Sequence, residues 1–243
     1  MAPTIHIMRH AEGWHNIGMT DTRDPTLTPH GRLQCAVFNT SFPLMNEVTH
    51  LVASPMRRTI DTCILSFTPA SDRLKIILLS ELQEAGNRRS SEGSSIGRIQ
   101  LRYGARVDTS LIDQYWLIKN KYTKWDTTVP KVEARAREAR VFLRKLAAEA
   151  GDDNAHIVVV THSVFAHWLT EDFAGTEAAG YDWANMEYRS YQFVDLNGQD
   201  AEATLTETAS SCQGRGGVHW SSLSQSEREE HKKNASKFLE AVE

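Results

Sequence analysis

Apolar positions along the chain follow two periods. Residues 4–8 (TIHIM) alternate and predict a first strand that runs straight into Arg9-His10. Residues 48–53 (VTHLVA) predict a second strand, stopped by Ser54-Pro55, and residues 74–79 (LKIILL) a third. Residues 156–160 (HIVVV) are the most strand-like stretch, and residues 191–196 and 203–208 predict two late strands. Near-continuous runs such as IVVV predict strands buried on both faces, as in a parallel sheet covered by helices. Between them the period changes. Over residues 131–150, Val132, Ala136, Ala139, Leu143, Leu146 and Ala150 recur at spacings of three and four. This predicts an amphipathic helix ending at Gly151, with Arg135, Arg137, Arg140, Arg144 and Lys145 on a solvated face. Residues 31–39 and 57–67 predict shorter helices. Strands alternating with helices predict an α/β fold, a three-layer sandwich around a mostly parallel central sheet.

Two regions depart from the alternation. Residues 85–128 are rich in Ser, Arg and Gly and then in Trp and Tyr, and predict a helical cap inserted over one end of the sheet. From Ser210 a loose SSCQGRGG segment precedes a helix starting at Ser224, where Ser224 and Glu227 have capping-box spacing. The expected organisation is one domain over 1–243, with the insertion at about 85–128 and a C-terminal appendage at about 210–243.

Composition narrows the function classes. In 243 residues, 27 Lys and Arg stand against 31 Asp and Glu, a net charge of −4, which offers neither nucleic acid nor a membrane surface an electrostatic reason to bind. Cys35, Cys63 and Cys212 are odd in number and form no CxxC pair, so neither a disulfide framework nor a structural zinc site is expected. The opening MAPTIHIMRH lacks the apolar stretch of a signal peptide, and no apolar run approaches the ~20 residues of a membrane span. The expectation is a soluble, cytoplasmic protein. Its oligomeric state is not legible.

Four segments place His, Arg and Glu just after a strand or at a helix start, where α/β sheets bind ligands. They are Arg9-His10-Ala11-Glu12 with Asn16, Ser54-Pro55-Met56-Arg57-Arg58 with Thr62, Glu81-Leu82-Gln83-Glu84, and Thr161-His162-Ser163. Each alone has an ordinary reading: a surface histidine, a solvated arginine pair, a capping glutamate. All four in this order, each at a strand end, are much harder to obtain by chance.

On these residues the chain resembles the histidine phosphatase superfamily, the phosphoglycerate mutase-like phosphatases. The family's strand ending in Arg-His-Gly-Glu with an Asn seven residues after the Arg is matched by RHAEGWHN, Arg9 to Asn16. Its Asp-x-x-Leu-Thr-x-x-Gly-x-x-Gln stretch is matched by Asp24, Leu27, Thr28, Gly31 and Gln34, and its Ser-Pro-x-x-Arg-x-x-x-Thr by Ser54, Pro55, Arg58 and Thr62. Its late histidine is matched by His162, and residues 183–193 are similar to what broad-specificity fungal members carry there. Ala11 and Ser163 each stand where the family has Gly. Leu82-Gln83-Glu84 fits the family's Leu-x-Glu best and Leu79-Ser80-Glu81 second. The Ala-Gly-Asn-Arg-Arg run after Glu84 differs from the Arg-His-Tyr-Gly run of the mutases.

The resemblance implies a metal-independent phosphomonoester hydrolase with His10 as nucleophile, Glu84 as acid and base, and Arg9, Arg58 and His162 around the phosphoryl group. Asn16 and Ser163 would bind substrate, no cofactor or metal is called for, and the partner is a small phosphomonoester. The chemistry suits these side chains, because a transferring phosphoryl group spreads charge over three oxygens and guanidinium donors meet it in a plane. His162, if protonated, would add a cation. Arg88, Arg89, Arg98 and Arg102 are expected to cover the site. The rival readings are a mutase, a non-catalytic phosphate-binding scaffold, a serine hydrolase built on THSVF around Ser163, and a metal site of His156, His162 and His167.

Overall fold

The computed structural model describes residues 2–174, 183–198, 200–217 and 219–241. In chain order the strands and α-helices are β1 (Thr4–Arg9), α1 (Pro29–Ser41), β2 (Val48–Ala53), α2 (Arg57–Ser66), α3 (Thr68–Ser71), β3 (Ile76–Leu78), α4 (Ile96–Tyr103), β4 (Val107–Asp108), α5 (Val129–Glu149), β5 (His156–Thr161), α6 (Ser163–Thr170), β6 (Tyr188–Phe193), β7 (Leu205–Glu207), α7 (Ala209–Gly214) and α8 (Gln225–Ala241). The strands form one seven-stranded sheet in the order β4-β3-β2-β5-β1-β6-β7. The first five in that order run parallel; β6 pairs antiparallel with β1 and with β7.

Side-chain alternation divides the core between the two faces of the sheet. Ile5, Ile7, Ile157 and Val159 face α5, α6 and α8, whereas Met8, Val158 and Val160 pack with residues of α2 and α4. Because both faces are covered, the central strands carry apolar residues at nearly every position. The expected three-layer α/β sandwich is therefore present.

Several boundaries differ from expectation. The third strand spans only Ile76–Leu78, since β2 offers it partners only from Leu51 to Ala53. The first late strand begins at Tyr188, not Tyr191, because Tyr188 pairs with Met8 of β1. The second is confined to Leu205–Glu207, with Ala203 in a left-handed turn at φ 49°. The segment expected to be loose holds the short helix α7, started by Thr208, whose hydroxyl accepts from the Ser211 amide. Ser224 and Glu227 do bond reciprocally at the start of α8. The expected helical insertion contains one α-helix, α4, an edge strand, β4, and turns.

The reading of α5 needs a larger correction. Arg135 and Arg140 are 3% and 2% exposed, not solvated. Arg135 stacks 4.5 Å over the Phe165 ring and donates to the Gln83 carbonyl; Arg140 donates to the Glu202 and Trp168 carbonyls and pairs with Glu171 and Glu202. Two loops cover the flanks of this helix, so its buried stripe is wider than its apolar one. The aromatic residues of the insertion separate as well: Trp116 and Trp125 are core, Tyr115 and Tyr122 exposed.

Candidate active site

Register brings the chemistry-bearing segments together. Arg9 of β1 lies beside Thr161 of β5, and Ala53 of β2 beside Val160, so the three strands end level. His10 and Ser54 continue the ladder by donating their amides to Thr161 and Val160, both at 3.0 Å. His10, Ser54 and His162 thus leave adjacent strands at the same edge. The chain then folds back tightly. A Cβ at Gly31 would sit 2.1 Å from the Glu12 carbonyl oxygen, so only glycine lets α1 approach here. Thr28 caps α1 through the Gly31 amide, and Gln34 accepts from the Glu12 amide. Thr62 accepts from the Ala11 amide (3.0 Å) and donates to the Arg58 carbonyl (2.7 Å), locking α2 to the turn after β1.

At the centre lies a chain of hydrogen bonds whose directions are fixed. His10 Nδ1–H donates to the Ala11 carbonyl at 2.7 Å, which leaves Nε2 as a bare lone pair. Arg58 Nε donates to that Nε2 at 3.2 Å. Arg58 also donates to the Ser90 carbonyl (3.0 Å) and, since a guanidinium cannot accept, to His162 Nδ1 at 3.0 Å. His162 Nε2–H therefore donates to Ser54 Oγ at 2.9 Å. Both imidazoles are neutral. Burial, and then the Arg58 cation, hold His10 and His162 well below the ordinary histidine range. The condition attached to His162, that it carry a proton, would be met when a dianion lies beside it. Burial lowers Arg58 itself to about 10, with Glu84 and Asp24 opposing the shift.

Of the two candidate glutamates, only Glu84 reaches the site. Its Oε1 accepts the amides of Ala85 (2.8 Å) and Phe165 (3.1 Å), the latter in the first turn of α6. Glu81 instead pairs with Lys124 at 2.8 Å. The Glu84 segment is held from two sides. Arg135 donates to the Gln83 carbonyl at 3.0 Å, and Lys119 donates to the carbonyls of Glu84, Gly86 and Ser91 at 3.3, 3.1 and 3.0 Å. Burial, reinforced by the Arg135 charge, lowers the Lys119 ammonium to about 7.

A cavity of about 110 Å³ lies at Arg58 and Glu84, walled also by His15, Arg88, Ser90, Ser91, Val164 and Phe238; His10 and His162 sit buried behind Arg58, off its wall. Sequence reasoning missed His15, Lys119 and Phe238. His15 lies inside RHAEGWHN, and its ring centroid is 5.2 Å from that of His10, the same separation as His10 from His162. Arg9 donates to the Trp183 carbonyl, and its Nε is buried without a partner among the described residues. Asn16 is exposed and uses its side-chain oxygen to accept the Gly13 amide, while Ser163 hydrogen-bonds the Trp183 carbonyl; neither lines the cavity. Of the arginines expected to cover the site only Arg88 walls it, since Arg98 and Arg102 line a separate cavity where Arg102 pairs with Asp61. His156 is bonded to His6 and His167 to the Asp172 carbonyl, so the three-histidine metal site does not form. Among the described residues no group of three or more His, Cys, Asp or Glu is placed to hold a metal ion.

A family model described as the histidine phosphatase superfamily (branch 1) matches residues 5–208. The chain belongs to the histidine phosphatase superfamily. A search of curated protein sequences gives no match. Among solved structures, the chain is similar to the ecdysone phosphate phosphatase of Bombix mori, solved with tungstate: 14% identity, 78% of this chain and 89% of that one, TM-score 0.55. It is also similar to a mycobacterial glucosyl-3-phosphoglycerate phosphatase solved with VO3 (18%, 86% and 98%, TM-score 0.53) and to a phosphoglycerate mutase of Bacillus anthracis (15%, 84% and 91%, TM-score 0.52). At these identities the likeness is one of fold.

Proposed function

We propose that this protein hydrolyses a small phosphomonoester through a phosphohistidine on His10. The observation that carries the reading is His10 itself: Nδ1 is committed to the Ala11 carbonyl, so a neutral imidazole directs one lone pair at the position Arg58 now occupies. An incoming phosphoryl oxygen takes the Arg58 donors, and Nε2 is released toward phosphorus. The N–P bond forms as the ester P–O bond breaks, and Glu84 delivers its proton to the leaving oxygen. Water then attacks phosphorus, Glu84 takes its proton, and the N–P bond breaks to free phosphate. Arg9 and Arg58 meet the oxygen charge, so release is expected to survive a chelator. That two proteins of similar fold are solved with tungstate and with VO3, oxyanions that can stand in for phosphate, supports a phosphate-handling site.

The test is rapid acid-free quenching of p-nitrophenyl phosphate turnover followed by mass analysis of the peptide carrying His10. An acid-labile phosphate on His10 is the expected result. Turnover with no such species, or with the label on Ser163, overturns the reading. Phosphate appearing on a second sugar phosphate instead of in water reassigns the enzyme as a mutase.

One further expectation concerns the lysine clamp. Lys119→Met removes the donor shared by three carbonyls around Glu84 and is expected to lower kcat by about 10- to 100-fold with little change in KM. Lys119→Arg, which restores donors, should recover part of the loss. Equal kinetics for wild type and Lys119→Met would show that the Glu84 segment holds its position without the clamp.

A further inference from the structure

We propose that Phe238, carried by α8, is a specificity-determining residue that acts with Val164 to select phosphomonoesters whose leaving group is aromatic. The proposal rests on the reading of the cavity as a phosphoryl-transfer site.

The cavity wall divides by chemistry. His15, Arg58, Glu84, Arg88, Ser90 and Ser91 are polar or charged, and the large apolar side chains are Val164 and Phe238. Their place on the wall follows from the backbone. The Phe165 amide donates to Glu84 Oε1 at 3.1 Å, so Val164, one residue earlier, stands beside the carboxyl that protonates the leaving oxygen. A substituent on that oxygen that fills the cavity meets its apolar walls, Val164 and the Phe238 ring. A sugar or polyol on that side would leave hydroxyl groups against apolar carbon, stripped of water and without partners there. An aromatic ring loses nothing of that kind and gains stacking and burial.

The helix that delivers Phe238 is fixed to the body of the protein. Ala235 and Leu239 are fully buried in the core beside α5 and α6, and Lys232 pairs with Glu133 of α5 at 2.8 Å. Phe238, between them on the helix, is half-buried at the cavity. The family model matches residues 5–208, so Phe238 lies beyond the matched segment. Selection of the leaving group is thus shared between Val164, inside the matched segment, and Phe238, beyond it.

The test compares wild type with Phe238→Ala and Phe238→Leu, and uses Lys237→Ala, an exposed change on the same turn, as control. For 2-naphthyl phosphate, Phe238→Ala is expected to lower kcat/KM about tenfold, with Phe238→Leu between; for glycerol 2-phosphate the change stays within about twofold. Equal losses on both substrates would mark Phe238 as a structural support only, and no loss on either would remove it from the site; each overturns the proposal. A second measurement needs no turnover. Titration calorimetry should show wild type binding benzylphosphonate more tightly than methylphosphonate, and Phe238→Ala erasing the difference. That result without any phosphate release would uphold the aromatic selection and refute the hydrolase reading; a difference unchanged in the variant, or no binding of either phosphonate, would refute the selection.

Discussion

His10→Ala is expected to lower kcat/KM for p-nitrophenyl phosphate by about 10⁴-fold or more, with residual turnover unresponsive to pH. The size reflects what the side chain does: without Nε2 there is no N–P bond, and water must attack an ester whose leaving group has lost its two-step route. The fold should be unaffected, because the buried ring makes one hydrogen bond as donor, to its own neighbour's carbonyl, and Arg58 keeps its bonds to His162 and the Ser90 carbonyl. His15 and His162 both lie within 5.2 Å of His10 by ring centroid, so the comparison must include each as its own variant. Retention of more than about a hundredth of wild-type activity in His10→Ala would move the nucleophile to one of these two rings.

The second large effect is on stability in mild acid. His6, His10, His162 and His167 are each no more than 3% exposed, and burial is the leading cause that lowers all four, His6 to about 3 and His167 to about 4. Linkage sets the sign: below the ordinary value of 6.5 the unfolded chain takes up these protons and the folded chain does not. Stability is therefore complete above pH 6.5 and is lost as pH falls below it. Four groups titrating together give a slope of roughly 5 kcal/mol per pH unit, an upper bound that is large against a total stability of about 5–15 kcal/mol. Thermal unfolding measured from pH 8 to pH 5 should show Tm level at first and then falling steeply below about 6. Inorganic phosphate should restore more Tm at pH 5.5 than at pH 8, since a bound dianion favours a protonated His162. A flat Tm between pH 7 and 5 would mean that water reaches these rings.

Sequence patterns expose what local rules govern. HIVVV reads as a doubly covered strand because its apolar residues are consecutive and β-branched, and β2 gives out at Ser54-Pro55 because Pro55 has no amide to continue a ladder. Arg9, His10, Arg58 and His162 can be placed together because each stands at or just after the end of a strand, and parallel pairing makes those ends level. What stays hidden depends on the path of the backbone. Lys119 looks like any loop lysine, since the three carbonyls it binds belong to residues 28 to 35 positions away. Arg135 and Arg140 read as solvated because helical periodicity describes one contact face and α5 has neighbours on more than one. Asn16 departs from expectation for the opposite reason: its spacing from Arg9 is legible, but the turn after Gly13 directs it to solvent. Phe238 carries no signal at all, because its helix is amphipathic in an ordinary way and only its docking puts the ring at the cavity.

The position of β5 in the sheet bears on how the chain acquires its structure. β1 and β2 never touch as paired strands; β5 lies between them. Until residues 156–161 arrive, both N-terminal strands present open hydrogen-bonding edges with no partner for each other, and every bond across the centre of the sheet spans a long stretch of sequence. A nascent chain stopped before β5 has therefore no central sheet and no half-built site to retain. Such non-local pairing makes folding slow and exposes strand edges while it proceeds, so this protein should depend on chaperones for yield more than its ordinary composition suggests.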